Sequence, residues 1–162
     1  MTLDLQIDAI GLPALILNLP QTASNITING SSNLEGYMKK KIVVLDTDQN
    51  SSEELVNMLN SKNYPFTQAH SLSSLKYILE SDQYVAVILD IDSVPVDNRT
   101  IRQLALKHTG VHFLCTSKDR FHPELKDAIC YHIYACLNKP VDPDELIFWF
   151  KSIYEEEDIP NS

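Results

Sequence analysis

Seven polar side chains stand where apolar runs stop. KIVVLD (Lys41 to Asp46) ends in an acid, and Asp48 follows two residues later. YVAVILD (Tyr84 to Asp90) ends in another, with Asp92 and then Pro95 close behind. VHFLCTS closes on Thr116 and Ser117, and IYACLN is followed by Lys139-Pro140. Carboxylates at the mouth of a buried strand are costly unless something uses them. Acids gathered at one place could hold a hard cation, and an amine beside them could neutralise their charge. No member of the set is specific alone: a lone Asp after a strand is commonly a helix cap or turn former.

What gathers them is the order of the elements. From Met38 onward, apolar runs alternate with helical stripes. SSEELVNMLNSKN places Leu55, Met58 and Leu59 on one face, with Ser51 or Ser52 as N-cap. PFTQAH reads as a short strand. SLSSLKYILESD turns Leu72, Leu75, Ile78 and Leu79 inward, and NRTIRQLALKH is a short helix ended by Gly110 as a left-handed cap. HPELKDAICYH carries Pro123 in its first turn. The last helix, DPDELIFWFKSIYEEED, has Asp142 as N-cap, Pro143 at its first position and Glu145 completing a capping box. Its inward stripe is Leu146, Trp149, Phe150 and Ile153.

The pattern is β-α repeated five times, and strands with apolar residues at every position, as in KIVVL and YVAVIL, require a parallel sheet covered on both faces. Right-handed crossovers then give a doubly wound five-stranded α/β sandwich, whose crevice lies at the carboxyl ends of the strands. The seven side chains all fall at that rim.

The chain has 162 residues, 44% of them hydrophobic, and a net charge of −9. Residues 1–37 hold three of the 22 acids and none of the 13 basic residues, so they read as a separate N-terminal extension of unassigned role. Residues 38–158 form the domain and 159–162 a tail. The acidic balance and the lack of a basic patch speak against nucleic-acid binding. No apolar run reaches the roughly 18 residues of a membrane span. AIGLPALILNL (Ala9 to Leu19) follows Asp4 and Asp8 and is broken by Pro13, so it reads as non-secretory. Three cysteines, Cys115, Cys130 and Cys136, lie among apolar neighbours and suggest reduced thiols in a cytoplasmic core. Cys130, His132 and Cys136 have no fourth residue at zinc-site spacing. No glycine-rich phosphate loop follows the first strand.

From Lys40 to Glu157 the chain resembles the receiver domain of response regulators in two-component signalling, in a single-domain, chemotaxis-regulator-like and divergent form. IVVLDTDQ is similar to that family's first acidic cluster and VILDIDSVP to its phosphorylation motif. FLCTS is similar to its switch-threonine strand. CLNKPVDPDEL, the closest match, resembles its lysine-proline turn. The resemblance implies a flavodoxin-like receiver fold and a signalling phosphoacceptor rather than a dedicated enzyme. It implies Asp90 as phosphoacceptor, with Thr116 and Lys139 on the phosphoryl oxygens. It also implies Mg²⁺ held near Asp46, Asp90 and Asp92. The implied partners are a histidine kinase or phosphotransfer protein and a downstream protein docking on the face of helix four, strand five and helix five. Phe148 and Tyr154 are candidate contacts there, a homodimer included.

Three departures qualify these expectations. Thr47 stands where the family has a second acid, which predicts weak Mg²⁺ binding. Pro95 lies five residues after Asp90 and three after Asp92, where the family spacing is four. Cys136 occupies the family's aromatic position on strand five, and Tyr134 is displaced by two residues on the same strand face. The alternative is a degenerate receiver acting as a phosphorylation-independent binding module.

Overall fold

The computed structural model describes residues 40–119 and 122–159. The expectations for residues 1–37 lie outside the described residues. Strands β1 (Lys41–Leu45), β2 (Phe66–Ala69), β3 (Tyr84–Asp90), β4 (His112–Ser117) and β5 (Ala135–Asn138) alternate with helices α1 (Gln49–Ser61), α2 (Leu72–Ser81), α3 (Asn98–Lys107), α4 (Lys126–Tyr131) and α5 (Pro143–Glu157). A 3₁₀ turn, Pro123–Leu125, leads into α4, so the helix expected from His122 is split.

The sheet runs β2-β1-β3-β4-β5 with every pair parallel. Side chains alternate across it, and each face has its own core. Val43, Leu45, Val87, Leu89 and Phe113 meet Leu75 and Leu79 of α2, Ile101 and Leu104 of α3, and Ala128 of α4. On the other face Ile42, Val44, Ile88 and Leu114 meet Leu55 and Leu59 of α1 and Leu146, Phe150 and Ile153 of α5. β3 is buried at all seven positions, as a central strand between two helical layers must be.

The helix ends refine the expected caps. Asp48, not Ser51 or Ser52, caps α1, its carboxylate accepting the Asn50 amide. A carboxylate outside the first turn is the better acceptor, which frees Ser51 for another partner. α1 ends in a Schellman arrangement: Asn63 takes φ 59°, its N–H reaches Asn60, and the Tyr64 N–H reaches Leu59. Asn63→Val should therefore lose about 1 kcal/mol and Asn63→Gly only tenths, read from urea midpoints. Equal losses would show that backbone conformation is not what Asn63 supplies.

α3 ends at His108, whose N–H returns to Leu104, so Gly110 lies in the following turn and is not the cap. Asp142 caps α5 by accepting the amides of Asp144 and Glu145, but the Glu145 side chain does not return to close the box. In α5 Leu146, Phe150 and Ile153 are buried, while Trp149 is half-buried. Among the described residues, no helix is long and apolar enough to cross a membrane.

Candidate functional site

Register brings the site together. Asp90 pairs with Thr116 across β3 and β4, and Asp46 lies one residue past the Leu45–Leu89 pair. All three have the parity of Val44, Ile88 and Leu114, so they project toward α1 and α5 in one row. All three are buried. With Lys139 they line a cavity of about 90 Å³ closed by Leu55, Met58 and Val141. Lys139 reaches it from the loop after β5, where the Lys139-Pro140 peptide is cis and the Lys139 N–H bonds the Ser117 carbonyl.

The two oxygens of Asp90 differ. Oδ1 accepts from Lys139 Nζ at 2.6 Å and from the Asp92 amide at 3.0 Å. Oδ2 is buried and has no hydrogen-bond partner. A buried carboxylate oxygen without a donor costs on the order of 1–3 kcal/mol.

Lys139 is shared. Its Nζ also stands 3.1 Å from Asp92 Oδ2. Burial alone would lower its pKa, but hydrogen bonds from the ammonium to Asp90 and Asp92, and their charges, outweigh burial and hold it above the ordinary lysine value. It is a fixed cation at neutral pH.

The carboxylate of Asp92 turns to β4. Oδ1 accepts from Ser117 Oγ at 2.7 Å and Oδ2 from the Lys118 amide at 2.9 Å. Asp92 does not line the cavity of Asp46 and Asp90. Burial opposes its ionisation, yet the bonds from Ser117, Lys118 and Lys139 together hold its pKa below the ordinary value. A folded value below the unfolded one means stability present above about pH 4 and lost as pH falls through the folded value. Asp92→Asn should therefore lose less stability than the native chain on acidification below about pH 4. Circular dichroism across an acid series reads this, and identical acid sensitivity would contradict it.

Asp46 is held by residues that its spacing did not disclose. Oδ1 accepts from the Asp48 amide at 2.7 Å and from Ser93 Oγ at 3.1 Å; Oδ2 accepts from Ser51 Oγ at 2.6 Å. Thr47 is exposed, and its hydroxyl donates to the Ser93 carbonyl at 2.8 Å. Thr47 thus ties β1 to the loop after β3. The backbone of that loop accommodates the long spacing to Pro95: Val94 N–H returns to the Asp90 carbonyl, and Val94 is buried in the core.

Ser117 and His122 also meet, Oγ to Nε2 at 2.8 Å. Nε2 lies 2.9 Å from the Asp119 carbonyl, which only accepts, so the imidazole donates. Ser117 sends its own proton to Asp92. The pair is therefore not a nucleophile and base.

At the expected output face the two aromatic candidates separate. Phe148 is 62% exposed. Tyr154 is covered, stacks on Tyr64 at 5.9 Å and donates to the Lys40 carbonyl at 2.5 Å. Tyr134 is not on the face of Cys136. It precedes β5, where strand alternation has not begun, and its ring packs against His112 and Trp149 in the α5 layer, with its hydroxyl 3.1 Å from Ser152 Oγ. Of the cysteines only Cys115 is buried; Cys130 and Cys136 are exposed, because α4 is short and β5 is an edge strand. Among the described residues, no group of three or more His, Cys, Asp and Glu side chains is arranged to hold a metal ion.

No protein-family model matches the chain, and no curated protein matches it. Solved structures do. The signal receiver domain of an HD domain-containing protein from Pseudomonas fluorescens Pf-5 is 20% identical, with a TM-score of 0.65 over 73% of this chain and 96% of that one. A two-component response regulator from Clostridium difficile is 17% identical, with a TM-score of 0.64 over 75% and 100%. A response regulator receiver domain protein from Methanospirillum hungatei JF-1 is also 17% identical, with a TM-score of 0.64 over 73% and 96%.

Proposed function

We propose that this chain, whose described domain has the receiver fold, is a phospho-accepting receiver of a two-component phosphorelay with Asp90 as the acceptor. The observation that carries the reading is the asymmetry of Asp90. One oxygen is clamped by Lys139 and the Asp92 amide, and the other is unpartnered on the cavity that Asp46 and Thr116 share. Clamping Oδ1 fixes the carboxylate plane and leaves Oδ2 as the nucleophile. Oδ2 forms the new bond to phosphorus, and the donor's leaving group departs with the old bonding pair. Lys139 then has a phosphoryl oxygen to neutralise, and the Thr116 hydroxyl lies beside it in register. Positioning and charge neutralisation are most of what such a transfer needs.

The fold family implies Mg²⁺. The fit rests on the donor set: the carboxylates of Asp46 and Asp90, hard oxygen donors, line one cavity. Asp46 and Asp90 would hold the ion, a set of one or two carboxylates being ordinary for Mg²⁺. When bound, it would neutralise charge on the phosphoryl oxygens. Thr47 adds no carboxylate, and that of Asp92 is engaged on β4, so binding is weak.

One observation favours the phosphorylation-independent binding module. Ser51, Ser93 and the Asp48 amide already satisfy Asp46 without a cation. On either reading the domain acts through protein contacts. A histidine kinase or phosphotransfer protein would meet the Asp90 rim, and a downstream partner the α4-β5-α5 face with Phe148.

Incubation with Mg²⁺ and acetyl phosphate, read by intact mass, separates the two. The phospho-acceptor gains one phosphoryl group, lost when the cation is chelated, and needs more Mg²⁺ than an ordinary receiver. No adduct under conditions that label an ordinary receiver would favour the binding module.

A further inference from the structure

Cys115 and Cys136 are direct partners across β4 and β5, and their Sγ atoms stand 2.7 Å apart. Neighbouring strands lie about 4.8 Å apart, within the Cα separation of about 4.4–6.8 Å that a disulfide bridges. Both side chains face the same side, so little backbone movement is needed. Their surroundings differ. Cys115 is buried in the core, while Cys136 is exposed on the edge strand. Both line an open cavity of about 230 Å³ that Ile129 and His122 also border. Cys130 lies on α4 outside this cavity.

The thiols are electrically unlike as well. The hydrogen bond between the two thiols, helped by the charge of His122 and opposed by burial, lowers the pKa of Cys136. The same bond, with burial, raises that of Cys115. The accessible thiol is therefore the one that ionises, which is the combination that makes a cysteine reactive.

We propose that Cys115 and Cys136 are a redox-active dithiol that reduces a hydroperoxide and closes to a reversible intramolecular disulfide, Cys136 attacking and Cys115 resolving. The Cys136 thiolate attacks one peroxide oxygen and the O–O bond breaks. The departing oxygen takes a proton and leaves as water, or as an alcohol from an organic peroxide, and Cys136 becomes a sulfenic acid. Cys115 sulfur then attacks Cys136 sulfur, and the S–O bond breaks. The hydroxide leaves with the Cys115 proton as water. Two thiols lose two electrons and two protons, and one peroxide is reduced. The step uses neither Asp90 nor a phosphoryl donor, so it stands apart from the phosphoryl chemistry.

The test treats the reduced full-length chain with hydrogen peroxide and follows intact mass, alkylation and peptide maps. The expected product is a monomer lighter by two hydrogens, with Cys130 the one alkylatable thiol and a peptide linking Cys115 to Cys136. A thiol reductant reverses it, and Cys130→Ser still forms it. In Cys115→Ser, oxidation stops at a sulfenic acid on Cys136 that dimedone traps. Oxygen added at Cys130 while Cys115 and Cys136 remain thiols would overturn the proposal. So would bridges that join two chains or involve Cys130.

Discussion

Lys139→Ala is expected to lower the unfolding free energy by about 3 kcal/mol at neutral pH, the size of a broken buried ion pair. The competing estimate is that of an exposed pair, about 0.5 kcal/mol. Burial decides between them. The Lys139 side chain is 17% exposed and that of Asp90 5%. Removing the ammonium leaves Asp90 with only the Asp92 amide on Oδ1, and leaves Asp90 and Asp92 without the cation they share. Phosphoryl uptake should also slow by about two orders of magnitude, as when one donor to developing charge is removed. Urea unfolding and uptake rates check both halves. A loss of about 0.5 kcal/mol or less would mean that the pair is solvated and Lys139 is not the fixed cation described.

The second large effect belongs to the frame. Phe150→Ala should cost about 3–5 kcal/mol, the range for deleting a buried aromatic ring. Phe150 is fully buried and its ring centroid lies 4.9 Å from that of Tyr64, so the void opens between α5 and the end of α1 and cannot collapse without moving a helix. Phe148→Ala, two residues away on the exposed side of the helix, should change stability by no more than about 0.5 kcal/mol. Chemical denaturation of the pair reads the contrast. Similar losses would mean that Phe148 is packed and is not a free docking residue.

The layers were legible because each depends on local pattern. Before Asp90, YVAVIL is apolar throughout, as suits a central parallel strand, and the whole strand lies buried between two helical layers. The stripes of α1, α2 and α5, Trp149 included, were readable from spacing for the same reason. Asp46, Asp90, Thr116 and Lys139 could be grouped because each follows a strand, and the fold brings strand ends to one rim.

What escaped depends on distances that spacing does not encode. Ser93 reaches Asp46 across 47 residues, and Ser117 reaches Asp92 across 25. Both bonds require the conformation of the loop after β3. Cys115 and Cys136 meet only through β4–β5 register, which places Cys115 opposite Cys136 and not opposite a neighbour. Periodicity gave each strand its alternation but no means of sliding one against the other. Tyr134 shows the same limit at a boundary: period-two counting puts it beside Cys136 only if the strand has already begun. A hydroxyl at Ser51 or Ser52 reads as the cap because hydroxyls often are, yet Asp48 is the stronger acceptor and Ser51 goes to Asp46.

On the proposed function Asp90, rather than Asp92, takes the phosphoryl group on its unpartnered oxygen. The most direct measurement reduces the acetyl phosphate-treated protein with borohydride, which converts an acyl phosphate of aspartate to homoserine, and maps the product by peptide sequencing. Homoserine is expected at position 90, persisting in Asp92→Ala and absent from Asp90→Ala. Homoserine at position 92, or none at either position in protein that carries the phosphoryl mass, would contradict it.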